Sequence, residues 1–228
     1  MSPITANLQA VRQRIESAAR TSGRLAQSVA LVAVSKTFSA AAVREAAAAG
    51  QRDFGENYVQ EGVEKIHALA DLQLVWHYIG PIQSNKTRLL AEHFDWVHSV
   101  ERAKIAARLS EARDPARGDL QVCIQINVSG EATKSGVAPE EAAPLARQVA
   151  ELPHLKLRGL MTVPEPTPDT QLQHRRFAQL RELRDRLNHE GFTMDTLSMG
   201  MSADLEAAIA EGATMVRVGT AIFGERKP

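Results

Sequence analysis

A lysine that ends an apolar strand is the first residue here whose type and place could do chemistry. In "VALVAVSKTFSA" (29–40) a mostly apolar run from Val29 reaches Ser35 and then Lys36, after which the chain turns into the alanine-rich "SAAAVREAAAAG". An arbitrary lysine in such a place more often snorkels or pairs with a surface carboxylate. Burial of the strand around Val32 and Val34 leaves this ammonium poorly solvated, which depresses its pKa, and a neutral amine attacks carbonyls to form a Schiff base. A second signal lies in "LSMGMSADLEAAIAEGATMVRVGTAIFG" (197–224). Ser202 stands at an N-cap position ahead of the helix "ADLEAAIAEG", and the last strand ends in Gly219 and Thr220. Helix N-termini present unpaired N–H groups to anions, so the two turns together predict a phosphate cradle, although a serine cap and a glycine turn are each ordinary alone.

An amine facing a phosphate site across one mouth suits an aldehyde with a phosphate handle, and pyridoxal 5′-phosphate is such a molecule. Arg217, just before the cradle, would then stand beside the cofactor ring. An arginine there leaves the pyridine nitrogen unprotonated and weakens the ring as an electron sink, which restrains decarboxylation and transamination.

The elements that must position these residues follow from the alternation of short apolar runs with helical patterns. Strands are predicted at 29–35, 52–56, 74–80, 95–100, 120–129, 155–163, 196–200 and 213–219, with helix-like segments between them. Eight such units predict parallel pairing through right-handed crossovers, hence an α/β (β/α)8 TIM barrel; a doubly wound open sheet is the alternative. An extra amphipathic helix, apolar at Leu8, Val11 and Ile15, precedes the first strand. No long linker divides the chain, so residues 1–228 read as one domain. In a barrel the C-terminal strand ends share one mouth. That rim collects Lys36, Glu56, Asn57, His77–Gly80, Ser99, Asn127–Ser129, Met161, Thr162, Ser198–Ser202 and Arg217–Thr220.

The stretches "LVAVSKTFS", "DFGENYVQE", "WHYIGPIQSNKTR", "INVSGEATKSGV", "RGLMTVPEP" and the C-terminal run quoted above occur in this order across nearly the whole chain. In this combination the sequence resembles the pyridoxal phosphate homeostasis proteins, relatives of the N-terminal barrel of alanine racemase. The resemblance implies a fold-type III cofactor site with Lys36 as the Schiff-base lysine, Asn57 and His77 lining the pocket, and Arg217 facing the pyridine nitrogen. It also implies that Ser202, Gly219 and Thr220 hold the phosphate, with Ser198 and the backbone near Met199–Met201 beside them. Phe38 and Ser39 stand where many relatives carry a lysine or proline, beyond the reactive residue.

The function so implied is storage, buffering or delivery of pyridoxal phosphate within vitamin B6 balance, without a reaction of the protein's own. The alternative is an amino-acid racemase-like enzyme. By the same resemblance, racemases use a second base, a tyrosine from an additional β domain; here the chain ends just after the eighth unit, and only Tyr58 and Tyr78 are present. A third reading is a phosphosugar barrel in which Lys36 only pairs with an anion.

Lys+Arg and Asp+Glu are both 27, so no global field favours nucleic acid or a membrane surface. The N-terminus lacks the continuous apolar core of a signal peptide, and no stretch reaches the ~18 apolar residues of a membrane span. One cysteine, Cys123 in "LQVCIQINV", reads as a buried inert thiol in a cytoplasmic protein. Lys86 and Lys134 read as solvated loop lysines near the rim, and the other histidines show no metal-ligand spacing. The basic helix "QLQHRRFAQLRELRDRL" (171–187) carries a helical apolar face and reads as an outer-ring helix. A monomer is expected, with apo-enzymes that receive the cofactor as possible partners.

Overall fold

Every apolar run pairs in parallel with the next, and the last pairs with the first. A computed structural model describes residues 2–130 and 135–225. Its strands are β1 (Ala30–Val34), β2 (Asp53–Glu56), β3 (Val75–Tyr78), β4 (Trp96–Val100), β5 (Leu120–Gln125), β6 (Leu155–Met161), β7 (Thr196–Ser198) and β8 (Met215–Val218), closed into a barrel in sequence order. Closure removes the open-sheet alternative. The helices are α1 (Pro3–Thr21), α2 (Ala40–Ala48), α3 (Val59–Ala68), α4 (Thr87–His93), α5 (Ala103–Ala112), α6 (Ala142–Ala150), α7 (Thr170–His189), α8 (Leu205–Ala210) and α9 (Thr220–Phe223).

Alternation along the strands divides the buried residues into two layers. Leu31, Phe54, Trp76, Val97, Val122, Leu160, Leu197 and Val216 join one large core with residues of the helices, including Val43, Leu90, Leu109 and Phe177. A second cluster contains Trp96, Cys123 and Met161, with Val75 and Met215 packed against it. Since β-strand side chains alternate between faces, this smaller cluster is the plug inside the barrel. Above it, toward the C-terminal strand ends, the interior turns polar with His77, His98, Ser198 and Arg217, all at most 3% exposed.

α1 starts where Ser2 Oγ accepts the Thr5 N–H and proline occupies the first turn, a favourable helix entry. It buries Leu8, Val11 and Ile15, the face its spacing predicts. α7 likewise buries Phe177, Leu180, Leu183 and Leu187, so the basic helix docks on the barrel. Strand ends are shorter than expected in several places; β5 stops at Gln125, beyond which the Ile126 N–H still donates to the Met161 carbonyl at 2.8 Å and Ile126 forms a single bridge with Val137.

Cys123 is fully buried, and that burial pushes its thiol up to about 12. Alkylation of the native protein is therefore expected to proceed only through unfolding, so its rate should track stability as denaturant is added. Rapid labelling in native buffer would contradict an enclosed plug.

Candidate functional site

A cleft of about 350 Å³ opens at the C-terminal ends of β1 and β8 and is bordered by the loops that follow β1, β2, β3, β6, β7 and β8. Lys36, Asn57, Ser202, Arg217, Gly219 and Thr220 all line it, so six of the residues singled out in the sequence meet in one place. Val34, Phe38, Ile79, Val163, Met201 and Ala203 complete the wall.

The turn carrying Lys36 is gripped from below by a buried ionic cluster. Lys65 Nζ on α3 donates to the Ser35 carbonyl at 2.7 Å, to Glu56 Oε1 at 2.7 Å and to Glu61 Oε1 at 2.6 Å. Ser35 Oγ also donates to Glu56 Oε1, at 2.6 Å. The Thr37 N–H donates to Glu61 Oε1, which holds a non-glycine residue at φ 69°. That left-handed conformation costs a β-branched residue about 1–3 kcal/mol and persists only where neighbours impose it. Residues on both sides of Lys36 are thus fixed, and Glu56, expected on the rim, instead points into the sheet–helix layer and is fully buried.

Asn57 follows β2 and is held by its backbone: Tyr78 Oη donates to its carbonyl at 3.1 Å. A Cβ on Gly80 would come within 2.4 Å of that same carbonyl oxygen, so only glycine lets the β3 loop pass there. Asn57 Oδ1 is buried with no hydrogen-bond partner among the described residues. Unsatisfied buried acceptors are rare in folded proteins and mark places where a ligand or water supplies the donor.

Arg217 reaches the cleft from β8 although it is only 3% exposed. Its Nη1 donates to Ser198 Oγ at 2.7 Å and its Nη2 to the Thr162 carbonyl at 2.8 Å. Burial pulls the guanidinium down to about 10, and it remains a cation at neutral pH.

The anion loops differ from the sequence reading in one respect. Ser202 is not the helix cap: residues 202–204 form a turn, α8 begins at Leu205, and Asp204 occupies the cap position with Oδ1 accepting the Met201 N–H at 2.6 Å. Asp204 takes the cap position without capping through its side chain, because its carboxylate is turned back to the loop and accepts from Met201. Ser202 still lines the cleft. Opposite it, Gly219 precedes α9 and Thr220 opens it, so the first turn leaves N–H groups without intrahelical acceptors. A Cβ on Gly219 would meet the Val34 carbonyl at 3.1 Å, which keeps the backbone close to the end of β1.

Three expected pocket residues lie deeper or elsewhere. His77 is fully buried, bonded to His98 and Asp53 inside the barrel; Ile79, two residues on, is the β3 residue that reaches the cleft. Ser198 is also fully buried and touches Arg217 instead of the cavity. Met199 packs in the outer core, and its N–H donates to the Met215 carbonyl at 3.1 Å, so its backbone is committed to the barrel. Lys86 belongs to the turn Ser84–Lys86 and does not border the cleft; Lys134 lies outside the described residues.

Two contributors were missed. Phe38 lines the cleft and stacks on Phe223 with ring centroids 5.1 Å apart; its departure from the common pattern was the available signal. α1 braces the anion loops, since Arg14 Nη2 donates to the Ser202 carbonyl at 3.0 Å and Asn7 Nδ2 to the Ile222 carbonyl at 3.0 Å. In the sequence only the apolar positions of this helix stand out.

Fold and site together define a barrel of the alanine racemase type: the family model "Alanine racemase, N-terminal domain" matches residues 6–227. The chain is 62% identical over 226 residues to the pyridoxal phosphate homeostasis protein of Pseudomonas aeruginosa, covering 99% of this chain and 97% of that one. It is 52% identical over 233 residues to the Escherichia coli K12 protein of the same name, covering 99% and 98%. Among solved structures, PipY of Synechococcus elongatus PCC7942 with PLP bound is 39% identical, with a TM-score of 0.85 over 97% of this chain and 100% of that one. The chain belongs to the pyridoxal phosphate homeostasis protein family.

Proposed function

We propose that this chain binds pyridoxal 5′-phosphate in the cleft, anchored covalently through Lys36, and serves the homeostasis of that cofactor by storing, buffering or delivering it. The observation that carries this reading is the meeting of one amine, one guanidinium and the two loops expected to hold an anion around about 350 Å³, a volume within the usual range for small-molecule sites. The orphaned Asn57 Oδ1 and the open first turn of α9 fit a ligand that brings a hydroxyl donor and a phosphate.

When bound, pyridoxal 5′-phosphate supplies an aldehyde carbon open to amines and an electron-withdrawing ring. Lys36 Nζ supplies the attachment point, on a turn that the Lys65 cluster holds rigid. Ser202, Gly219 and Thr220 would hold the phosphate end. Arg217 keeps its own proton at neutral pH and would serve as a donor to the ring nitrogen, so that nitrogen would gain no positive charge.

A carrier role is favoured over racemisation by what faces the cleft. Among the described residues that line it, only Lys36 and Arg217 are titratable, whereas inversion requires acid–base groups on both faces of the substrate carbon. Tyr78 is 2% exposed, and burial pushes its hydroxyl up to about 12. Its Oη donates to the Asn57 and Pro81 carbonyls; Tyr58 is 53% exposed, and neither lines the cleft. The same reading includes a monomer acting in the cytoplasm, with apo-enzymes as recipients. No helix among the described residues is long and apolar enough to cross a membrane, and they hold no cluster suited to a metal ion.

The test is transfer. Loaded protein mixed with a pyridoxal phosphate-dependent apo-enzyme is expected to restore that enzyme's activity while itself turning over no L- or D-amino acid in a chiral assay. Sustained inversion of any amino acid, lost in Lys36→Ala, would establish the racemase reading instead.

A further inference from the structure

A continuous hydrogen-bonded chain crosses the barrel interior. Arg217 Nη1 donates to Ser198 Oγ at 2.7 Å; Ser198 Oγ lies 2.7 Å from His98 Nδ1; His98 Nε2 lies 2.9 Å from His77 Nδ1; and His77 Nε2 lies 3.1 Å from Asp53 Oδ1. Asp53 opens β2 at the N-terminal end of the barrel, where its side chain is 34% exposed. The chain therefore joins the cleft to the opposite face through side chains of β8, β7, β4, β3 and β2.

Its two ends give it a direction. A guanidinium can only donate, and an ionised carboxylate can only accept. Between them each neutral group has one donor and one acceptor to spend on the chain. Ser198 accepts from Arg217, so its single O–H proton goes to His98 Nδ1. His98 then carries its proton on Nε2 and donates to His77 Nδ1; His77 carries its proton on Nε2 and donates to Asp53. The reverse order would set the lone pair of His77 Nε2 against the carboxylate. Every contact is satisfied in one arrangement only, with both rings neutral. Complete burial beside His77 and Arg217 also keeps His98 well below the ordinary histidine range.

Arg217 has reason to need such a chain. Among the described residues its direct partners are the Ser198 hydroxyl and the Thr162 carbonyl, and the Asp204 carboxylate acts on it only from beyond contact, although it is buried and buried charges are ordinarily paired. A carboxylate in direct contact would hold the guanidinium away from the cleft. A carboxylate at the far end of a polarised chain strengthens Ser198 as acceptor and leaves the other edge of Arg217 turned to the ligand.

We propose that Asp53, His77, His98 and Ser198 are positioning residues that act on Arg217, with Asp53 fixing from the opposite face of the barrel the orientation in which the guanidinium meets the cofactor ring. This rests on the cofactor reading above, and the test separates the two. Two-bond proton–nitrogen spectra of the full chain without added cofactor are expected to show the Nε2–H tautomer for both His77 and His98. A proton on Nδ1 of either ring overturns the directed chain, whatever the protein binds. In Asp53→Ala the single tautomer is expected to be lost at both rings, while Asp53→Glu restores it.

With pyridoxal 5′-phosphate added, Asp53→Ala is expected to shift the visible absorbance and weaken affinity roughly threefold to tenfold, a coupling typical of residues acting at a distance. In a Ser198→Ala background, where the chain is cut, the Asp53→Ala effect should vanish. Additive losses would overturn the proposal, because they would make each residue a local packing element. Failure of wild-type protein to give any visible band overturns the cofactor reading alone and leaves the tautomer result standing.

Discussion

Lys65→Met is expected to destabilise the fold by roughly 3–5 kcal/mol, the cost of leaving a buried carboxylate without its ammonium. Glu56 is fully buried, and its Oε2 already lacks a partner among the described residues, so Lys65 and Ser35 carry its compensation. Burial pushes the Glu56 carboxyl up, and Lys65 and Ser35 pull it back only in part. The folded chain therefore holds this proton to higher pH than the unfolded chain, whose glutamate titrates near 4.5. Through that window stability falls as pH rises, then levels off once the folded carboxyl ionises. Removing Lys65 deletes the opposing pull and carries the fall on to higher pH. The penalty should be largest at neutral pH and shrink toward 4.5, as denaturant melts across pH would show.

Lys65→Met with Glu56→Gln should recover much of the loss, since removing both charges leaves none buried alone. A penalty independent of pH would show that Glu56 is not the group left uncompensated. Because Lys65 also holds the Ser35 carbonyl, and Glu61 the Thr37 N–H, the single variant should weaken cofactor binding as well.

Lys36→Ala is the second large effect, and it falls on binding instead of folding. The side chain is half-buried, on a turn already fixed by its neighbours, so the unfolding midpoint should move by no more than ~0.5 kcal/mol. Affinity for pyridoxal 5′-phosphate should fall by about 100-fold or more, ~2.8 kcal/mol at 1.4 kcal/mol per decade. What remains is phosphate and ring binding by Ser202, Thr220 and Arg217. Equilibrium dialysis of both proteins checks this, and equal affinities would mean that the lysine contributes no bond.

Much of the barrel was legible because eight β-rich runs between amphipathic helices admit few topologies. Lys36, Asn57, Arg217, Gly219 and Thr220 were legible for the same reason: each follows or closes a strand at the mouth. Depth was harder. Alternation shows which residues face inward but not how far below the rim they stop, which depends on strand tilt and stagger. His77 and Ser198 do face inward, yet β3 and β7 place them one layer under Ile79 and Arg217. Ser202 was given the cap position that Asp204 takes, because two cap-forming residues two positions apart offer the same local signal. The bracing of the anion loops by Arg14 and Asn7 involves partners 188 and 215 residues away, contacts that no local pattern reveals.

Absorbance of the purified protein with added pyridoxal 5′-phosphate, followed by borohydride reduction and peptide mapping, tests the covalent anchor most directly. A visible band that reduction converts into a stable adduct on the peptide carrying Lys36 is the expected result. No band at saturating cofactor, or a stable adduct on a different lysine, would contradict it.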